Sequence, residues 1–297
     1  MTWKCDGIKV VDSKLRLSLS KQTREYLKEA HGIESKYIWV ALPKDLPLDS
    51  VKQVELVPHH RFGHISYTLH IIYRQTFDEK PAVDPGKHLA IDLGVLNFAT
   101  CVSEDGSFII DGRVLLSKLR LINKRTAHLK SILDRQNIKT SKRLHRLHRY
   151  RRNYLNDFVH KASKAIIDYC LENRIGTIVV GKLSHGITEI DIGSINNKKL
   201  HQMPYGKFLS KLKYKADQVG IRVIEVDEAY TSQTCSVCGA VDRSSRLHRG
   251  LYVCKHCGSV MNADTNGAFN ILKKVSPSPK RVGVGALASP VRLRLVS

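Results

Sequence analysis

The sequence has no apolar run long enough to span a membrane and no pattern of a secretory signal. A transmembrane helix needs about 20 consecutive apolar residues, and no apolar run in this chain reaches that length. The N-terminus, MTWKCDGIKVVD, does not place an apolar segment after a charged one. We therefore expect a cytoplasmic protein with no membrane partner. In that compartment Cys5, Cys101 and Cys170, which lie far apart in sequence, are expected to stay reduced.

Acidic side chains are scarce in comparison with basic ones. The chain has 49 Lys and Arg against 27 Asp and Glu, and its formal net charge is +22. Such an excess favours a polyanionic partner, usually nucleic acid. Residues 1–83 are nearly balanced, with 13 basic and 10 acidic residues, whereas residues 113–164 have 16 basic and 2 acidic. Because solvated helix faces usually mix signs, we predict that this segment binds phosphates. The candidate nucleic-acid-binding residues are Arg143, Arg146, Arg149, Arg151 and Arg152.

Turn signals and hydrophobic periodicity divide the chain into three parts. Residues 1–82 alternate short β-branched and aromatic runs with turns, which predicts a small β-rich domain resembling a barrel. The pattern of residues 83–275 predicts a mixed α/β domain, with a basic helical hairpin inserted at 113–172. Residues 276–297 contain several prolines and glycines and predict a flexible basic tail.

Four cysteines form two Cys-x-x-Cys pairs within the predicted α/β domain. Cys235 and Cys238 are separated by fifteen residues from Cys254 and Cys257. This spacing is typical of a zinc ribbon, here delimited as 233–260, whose four thiolates leave no position for a catalytic water. A glycine follows each pair, where the turn needs positive φ. Disulfides or unrelated thiols are the alternatives, but a reducing compartment favours structural Zn2+.

Two aspartates lie at the ends of predicted elements. Asp92 ends the first buried strand of a β-meander, and Asp264 is expected to cap the helix that follows the cysteines. A meander, then a strand–helix–strand unit, then a helix opened by Asp is the order of an RNase H-like α/β fold. That fold gathers carboxylates around two divalent ions. A strand-end Asp is also a common turn former, so the pattern alone leaves both interpretations open.

Four sequence strings resemble the transposon-associated TnpB (OrfB-type) proteins. They are IDLGVLNFAT, YTSQTCSVCG, YVCKHCG and ADTNGAFNIL, in this order, within about residues 85–275. The resemblance implies an RNA-guided DNA endonuclease of a transposable element, with guide RNA and target DNA as partners. It implies a RuvC-like nuclease domain that hydrolyses phosphodiesters with Mg2+, preceded by a wedge-like domain at 1–82. The family's motif aspartates match Asp92 and Asp264.

The middle carboxylate of the family's motif is replaced in this chain. Residues 179–183 read VVGKL where the usual motif is VVEDL, and Gly181 offers no side-chain ligand. A branch of the family places its glutamate just before the YTS motif, and Glu228 matches that position. The resemblance therefore implies a Mg2+ site of Asp92, Glu228 and Asp264.

Several alternatives remain open at this point. Glu189 and Glu225 are further candidates for the middle carboxylate, and Glu228 as a surface residue with no ligand role is another. The rival function is a nuclease-dead, RNA-guided DNA-binding repressor, which Gly181 favours. The family's N-terminal recognition lobe has no counterpart here, which implies a truncated copy, a domain fragment or a reduced form. A third interpretation is accordingly a transposon relic that binds nucleic acid.

Overall fold

The computed structural model describes most of the chain, in two compact units, Met1–Asp78 and Glu79–Ser297. The described residues are 1–12, 14–42, 51–61, 64–74, 81–182, 197, 200–248, 250–276 and 288–295. Glu189, one of the alternative carboxylates, lies outside them. None of the described helices is long and apolar enough to cross a membrane.

In the part of the first unit that the structure describes, two three-stranded antiparallel sheets accompany one α-helix. One sheet has the order β1-β5-β6, and its strands are β1 (Thr2–Lys4), β5 (Val51–Arg61) and β6 (His64–Tyr73). The other has the order β2-β3-β4, with β2 (Ile8–Val11), β3 (Lys14–Ser18) and β4 (Tyr37–Ala41). The helix is α1 (Lys21–His31). Trp3, Leu15, Leu17 and Val54 form the core of this unit. The unit is β-rich, and a closed barrel stays a prediction.

The second unit is built on a six-stranded mixed sheet of order β11-β10-β7-β8-β9-β15. Its strands are β7 (Asp84–Leu93), β8 (Asn97–Ser103), β9 (Gly106–Asp111), β10 (Ile175–Lys182), β11 (Arg222–Asp227) and β15 (Val291–Leu293). Strands β7, β8 and β9 form the antiparallel meander that the sequence predicts. Strands β10 and β11 run parallel to β7, as expected for strands joined through a helix.

Among the described residues, the helices beside this sheet are α2 (Arg113–Arg135), α3 (Lys142–Glu172), α4 (Tyr205–Gln218) and α5 (Ala263–Lys273). Helices α2 and α3 are the predicted hairpin, and Ser141 begins α3 by accepting a hydrogen bond from Leu144 N at 3.2 Å. Leu89 and Ile91 of β7 pack with α2, α3 and α4 on one face of the sheet. Ala90, between them, packs with α5 on the other face. Since side chains alternate along a strand, Asp92 faces the same side as Ala90.

The cysteine segment forms a small three-stranded sheet on the α5 face. Its strands are β12 (Arg246–His248), β13 (Leu251–Val253) and β14 (Val260–Met261). Gly239 and Gly258, which follow the two cysteine pairs, have φ of +79° and +70°. The sequence prediction of left-handed turns at these glycines is confirmed.

Two local predictions are wrong. Asn262, and not Asp264, caps α5, because Oδ1 of Asn262 accepts hydrogen bonds from the backbone N–H groups of Asp264 and Thr265. Asp264 therefore lies inside the first helical turn. Part of the predicted flexible tail is ordered as β15, which pairs in parallel with β9, while Leu293 and Leu295 pack against the main core. Burial of these two side chains explains why this segment is held on the sheet.

Candidate functional site

Asp92 lies near the end of β7, beneath the N-terminal part of α5. A Cβ at position 267 would lie 3.1 Å from Oδ2 of Asp92, so Gly267 lets the helix approach this carboxylate closely. Burial raises the pKa of Asp92 well above its ordinary value, and the charges of Glu228 and Asp264 raise it further. The Arg246 guanidinium opposes that rise. Asp92 thus lies in a partly enclosed, negatively charged environment.

Glu228 follows β11 directly and lies over Gly181 of the neighbouring strand β10. The two strands are parallel, and Gly181 is paired with Val226. A Cβ at position 181 would lie 2.7 Å from Cγ and 2.8 Å from Cδ of Glu228, which is closer than real Cβ atoms come. The glycine therefore provides the space that the Glu228 side chain occupies.

The Glu228 carboxylate is enclosed and incompletely paired. Its Oε1 is buried and accepts no hydrogen bond from the described residues. Burial raises the pKa of Glu228 from 4.5 to about 7, the charge of Asp227 adds to the rise, and Lys274 opposes it. A buried acceptor without a partner is energetically costly, and a bound cation is one way to satisfy it.

Asp264 is held in place from two sides. Its Oδ2 accepts a hydrogen bond from Nδ2 of Asn97 at 2.6 Å, and its Oδ1 accepts one from Nη2 of Arg246 at 2.8 Å. Its place in the first turn of α5 puts the carboxylate near the positive end of the helix dipole. A carboxylate has about four lone-pair directions, so these two bonds leave acceptor capacity for a cation.

The turn after β7 is fixed by Tyr205 at the start of α4. Its hydroxyl donates a hydrogen bond to the Gly94 carbonyl at 2.9 Å, and its ring is stacked on Phe98. Burial raises the pKa of Tyr205, and the charges of Asp92 and Glu228 contribute. The aromatic contact and the hydrogen bond anchor the segment that carries Asp92.

Glu225, the other alternative carboxylate, is directed away from this site. Its Oε1 accepts an ion-paired hydrogen bond from Nζ of Lys213 on α4 at 2.5 Å. Helix α4 packs on the face of the sheet opposite α5. The structure therefore brings Glu228, and not Glu225, within electrostatic range of Asp92.

The three carboxylates surround a wider space than the cysteines do. Among the described residues, only the four cysteines form a set of potential metal ligands whose atoms all lie within 4.8 Å of one another. Asp92, Glu228 and Asp264 interact electrostatically without closing to that distance. Hard carboxylate oxygens are the ligands that Mg2+ prefers. Gly181 leaves the space in which the Glu228 side chain lies, and the Glu228 carboxylate, whose Oε1 accepts no hydrogen bond from the described residues, fits the donor set of such a cation.

The four cysteines are arranged as a tetrahedral site requires. The Sγ atoms of Cys235 and Cys257 are 3.8 Å apart, and those of Cys238 and Cys254 are 3.6 Å apart. A Zn–S bond of about 2.3 Å gives tetrahedral S···S separations of about 3.8 Å, whereas a disulfide needs about 2.05 Å. The cysteines are free thiols, so the geometry favours a metal over the disulfide alternative.

Helix α5 connects the cysteine segment to the carboxylates. The side-chain amide of Asn266 accepts a hydrogen bond from Ser236 N and donates one to Thr234 O, both at 2.8 Å. Lys273 donates to Ser236 O at 2.6 Å. The segment also supplies Arg246, which binds Asp264. The ribbon and the helix that carries Asp264 therefore form one hydrogen-bonded body.

Asn97 and Arg246 were missed by the sequence analysis. Asn97 lies in the string that contains Asp92, but a polar residue three positions after a turn glycine carries no distinctive signal. Arg246 lies between the cysteine pairs, where the pattern draws attention to the thiols. Both residues are recognised only by their hydrogen bonds to Asp264.

The basic hairpin presents most of the predicted arginines to solvent. Arg143, Arg146, Arg149 and Arg152 are exposed, whereas Arg151 is half-buried and its Nε has no described partner. An open groove of about 560 Å3 lies between α2 and α3. It is lined by Arg125, His128, Leu129, Arg143, Arg146, Leu147 and Tyr150. Arg125, which the sequence analysis did not single out, joins two of the predicted arginines there.

Two protein-family models match the chain, and their matches lie mainly in the second unit. A family described as "Probable transposase" matches residues 70–185, and a domain described as "Cas12f1-like, TNB domain" matches residues 205–271. Their order along the chain is the order of the motifs that contain Asp92 and the cysteines. Together with the TnpB-like relatives, these two matches support a TnpB-type chain.

The chain aligns with only part of the length of each curated relative. The CRISPR-associated endodeoxyribonuclease Cas12f1 of Sulfoacidibacillus thermotolerans is 35% identical over 119 residues, which are 40% of this chain and 27% of that protein. The Cas12f1 of Syntrophomonas palmitatica is 26% identical over 59% of this chain and 36% of that protein. The TnpB-like protein ORF457 of Acidianus two-tailed virus is 28% identical over 63% of this chain and 42% of that protein. The chain thus spans less than half the length of these relatives.

Solved structures show the same fold. A cryo-EM structure of a Cas12f1–sgRNA–target DNA complex aligns with a TM-score of 0.58 at 21% identity. The alignment covers 86% of this chain and 52% of that chain. At this identity the likeness concerns the fold alone. The mixed α/β architecture of this chain is consistent with the RuvC-like fold that the sequence predicts.

Proposed function

We propose that the chain is the nuclease part of an RNA-guided DNA endonuclease, with Mg2+ held by Asp92, Glu228 and Asp264. One observation carries the proposal: Glu228 occupies the space above Gly181, so the strand that lacks its glutamate is supplied with one from its neighbour. The RuvC-like domain at 83–275 would carry out phosphodiester hydrolysis. The β-rich residues 1–82 would correspond to the wedge-like domain.

The side chains of this site favour a divalent cation. Bound Mg2+ ions would stabilise the attacking and leaving oxygens at a phosphate. Without a cation, Asp92 and Glu228 hold protons more tightly than ordinary carboxyl groups do, because each is buried and repelled by neighbouring charge. Asn97 and Arg246 orient the Asp264 carboxylate by their hydrogen bonds. Tyr205 fixes the turn beside Asp92.

We propose that the four cysteines hold one structural Zn2+. Their sulfur separations fit a closed tetrahedral site, which leaves no coordination position for a substrate. The role of the metal would be to hold the segment that carries Arg246 beside α5.

Guide RNA and target DNA are the proposed partners. The exposed arginines of the hairpin and the groove between α2 and α3 would bind backbone phosphates of either nucleic acid. Sequence selection would come from base pairing between guide and target, as in other guided nucleases.

A cleavage assay tests this proposal directly. The full chain, expressed with the RNA encoded beside its gene, is incubated with a plasmid carrying the matching target and Mg2+. Asp92→Ala and Glu228→Ala should each remove cleavage while target binding persists. Glu225→Ala, the matched control three residues before Glu228, should leave cleavage unchanged because Glu225 is paired with Lys213. Full activity of Glu228→Ala would reject the proposed site.

The second candidate is a nuclease-dead, RNA-guided repressor. It is favoured by Gly181 at the usual glutamate position and by the wide spacing of the three carboxylates. The same assay separates the two functions. A wild-type chain that binds the guided target tightly but never cleaves it, with Mg2+ present, would support the repressor.

A further inference from the structure

The ordered C-terminal strand β15 places an arginine next to the candidate site. Strand β15 lies at the sheet edge beside β9, and Arg292 is paired with Ile109. From there the Arg292 side chain reaches across β9, and its Nη1 donates a hydrogen bond to Oδ1 of Asn97 at 2.9 Å. The other end of the Asn97 amide donates to Asp264 at 2.6 Å. Arg292 and Asp264 are thus linked through a single buried side chain.

The two partners of the Asn97 side chain, Arg292 and Asp264, determine how its amide is oriented. A guanidinium can only donate hydrogen bonds, and a carboxylate can only accept them. An amide between the two satisfies both partners only with its oxygen towards Arg292 and its nitrogen towards Asp264. Without Arg292, the Asn97 amide could rotate and turn its oxygen towards the carboxylate, which would repel it. The positive charge on the oxygen side also strengthens the N–H donor on the other side.

Strand β15 is anchored on both sides of Arg292. Val291 and Leu293 pair with β9, and Leu293 and Leu295 pack on the main core. Arg294, two residues later, lies 3.9 Å from Oδ2 of the buried Asp111 and makes no described contact with Asn97. The backbone that carries Arg292 is therefore fixed independently of Asn97.

We propose that Arg292 is a positioning residue of the metal site, which acts through Asn97 on Asp264. Outer partners of metal ligands orient those ligands and tune their affinity. This inference rests on the proposed function, because it assigns Asp264 as a ligand. Arg292 itself contacts neither the other two carboxylates nor the cysteines among the described residues.

The test is a Mn2+ titration of the full chain without nucleic acid, followed by electron paramagnetic resonance of free Mn2+. Arg292→Ala should weaken the binding that Asp264→Ala abolishes, by roughly 10-fold. Arg292→Lys, which keeps a donor, should recover part of the loss. Arg294→Ala removes an arginine from the same strand and should bind Mn2+ as the wild type does.

A double-mutant cycle tests the route through Asn97. If Arg292 acts only on that amide, Arg292→Ala should add nothing in an Asn97→Ala background. Additive losses, or unchanged Mn2+ affinity in a folded Arg292→Ala, would overturn the inference while leaving the metal site intact. Unchanged binding in Asp92→Ala and Asp264→Ala would instead overturn the proposed metal site and the inference with it.

Discussion

Glu228 lies over the Cα of Gly181, so close that a Cβ there would lie 2.7 Å from its Cγ. Gly181 lies on β10 and Glu228 directly follows the parallel neighbouring strand β11, and the charge of Glu228 acts on Asp92. A carboxylate at this point in space can therefore be supplied from β10 or from the residue after β11, but not from both. The Glu228 side chain can lie in this position only because residue 181 is a glycine.

The first prediction concerns Gly181→Ala. The added methyl group would force the Glu228 side chain out of its place, because it approaches Cγ and Cδ and not only the mobile carboxylate end. We expect guided cleavage to fall by about 100-fold, within the range found when metal-site support is lost. Gly206→Ala, where a Cβ meets nothing within 4 Å, is the matched control and should stay fully active.

The second prediction exchanges the two positions. Glu228→Ala should lose cleavage, and adding Gly181→Glu to it should recover part of the activity, because the carboxylate then reaches the site from β10. Gly181→Glu alone places two carboxylates in the space of one and should be less active than the double variant. If the double variant is as inactive as Glu228→Ala in single-turnover assays, the equivalence of the two positions is wrong.

The third prediction concerns the pH dependence of stability in Mg2+-free buffer. Because the pKa of Glu228 rises from 4.5 to about 7 in the folded protein, the folded state binds this proton more tightly than the unfolded state does. Its contribution to stability is therefore lost as pH rises from about 4.5 to about 7. Glu228→Gln should be more stable than wild type above pH 7, by on the order of 3 kcal/mol, and equal to it below pH 4.5.

Urea denaturation at pH 4, 6 and 8 measures this difference. Glu225→Gln serves as the control, since Glu225 lies three residues before Glu228 and forms an ion pair with Lys213. That change should not reproduce the pH-dependent gain. A constant difference between Glu228→Gln and wild type across the three pH values would contradict a raised pKa.

The sequence identified the candidate site residues that belong to short motifs. It missed the residues that are recognised only by contacts between distant parts of the chain. Asp92, Asp264 and the cysteines stand in contiguous strings, and Glu228 followed from its place beside the missing glutamate. The bonds from Asn97 to Asp264 and from Arg292 to Asn97 join residues 167 and 195 positions apart, where no local pattern connects them. The catalytic role of the three carboxylates stays a prediction.

The sequence misjudged secondary structure in two places: where two neighbouring residues could both cap a helix, and where a strand depends on pairing with a distant strand. Asn262 and Asp264 are both good helix caps, and only the observed bonds from Asn262 choose between them. The three residues of β15 follow a segment rich in proline and glycine. Their strand is stabilised by pairing with β9 and by burial of Leu293, which composition does not reveal.

The fourth prediction concerns the cysteine cluster. The purified chain should contain one Zn2+, and Cys235→Ser should lose it, because four thiolates are needed to close the site. We expect the free energy of unfolding to fall by more than about 4 kcal/mol, since structural zinc binding is coupled to folding. Metal analysis and calorimetry measure both effects. Cys5→Ser, at an exposed thiol, should change neither; a folded wild type without zinc would contradict the assignment.

The fifth prediction concerns the exposed arginines of α3. Replacing Arg143, Arg146, Arg149 and Arg152 together by Gln should reduce the salt dependence of RNA binding, because fewer counterions are released when fewer phosphates are contacted. The slope of log K against log salt should become shallower by about 3, at about 0.7 to 0.9 per lost contact. Fluorescence anisotropy with a labelled RNA oligonucleotide between 50 and 300 mM salt, on the order of physiological ionic strength, gives the slope.

The control for this prediction lies on the same helix. Lys161 and Lys164 are paired with Asp157 and Asp168 at 2.9 and 2.8 Å, so their charge is already balanced one turn away. Replacing both lysines by Gln should change the slope much less than replacing the arginines. Equal effects of the two sets would mean that RNA binding follows net charge alone, and that the arginine face of α3 has no special role in holding the phosphates.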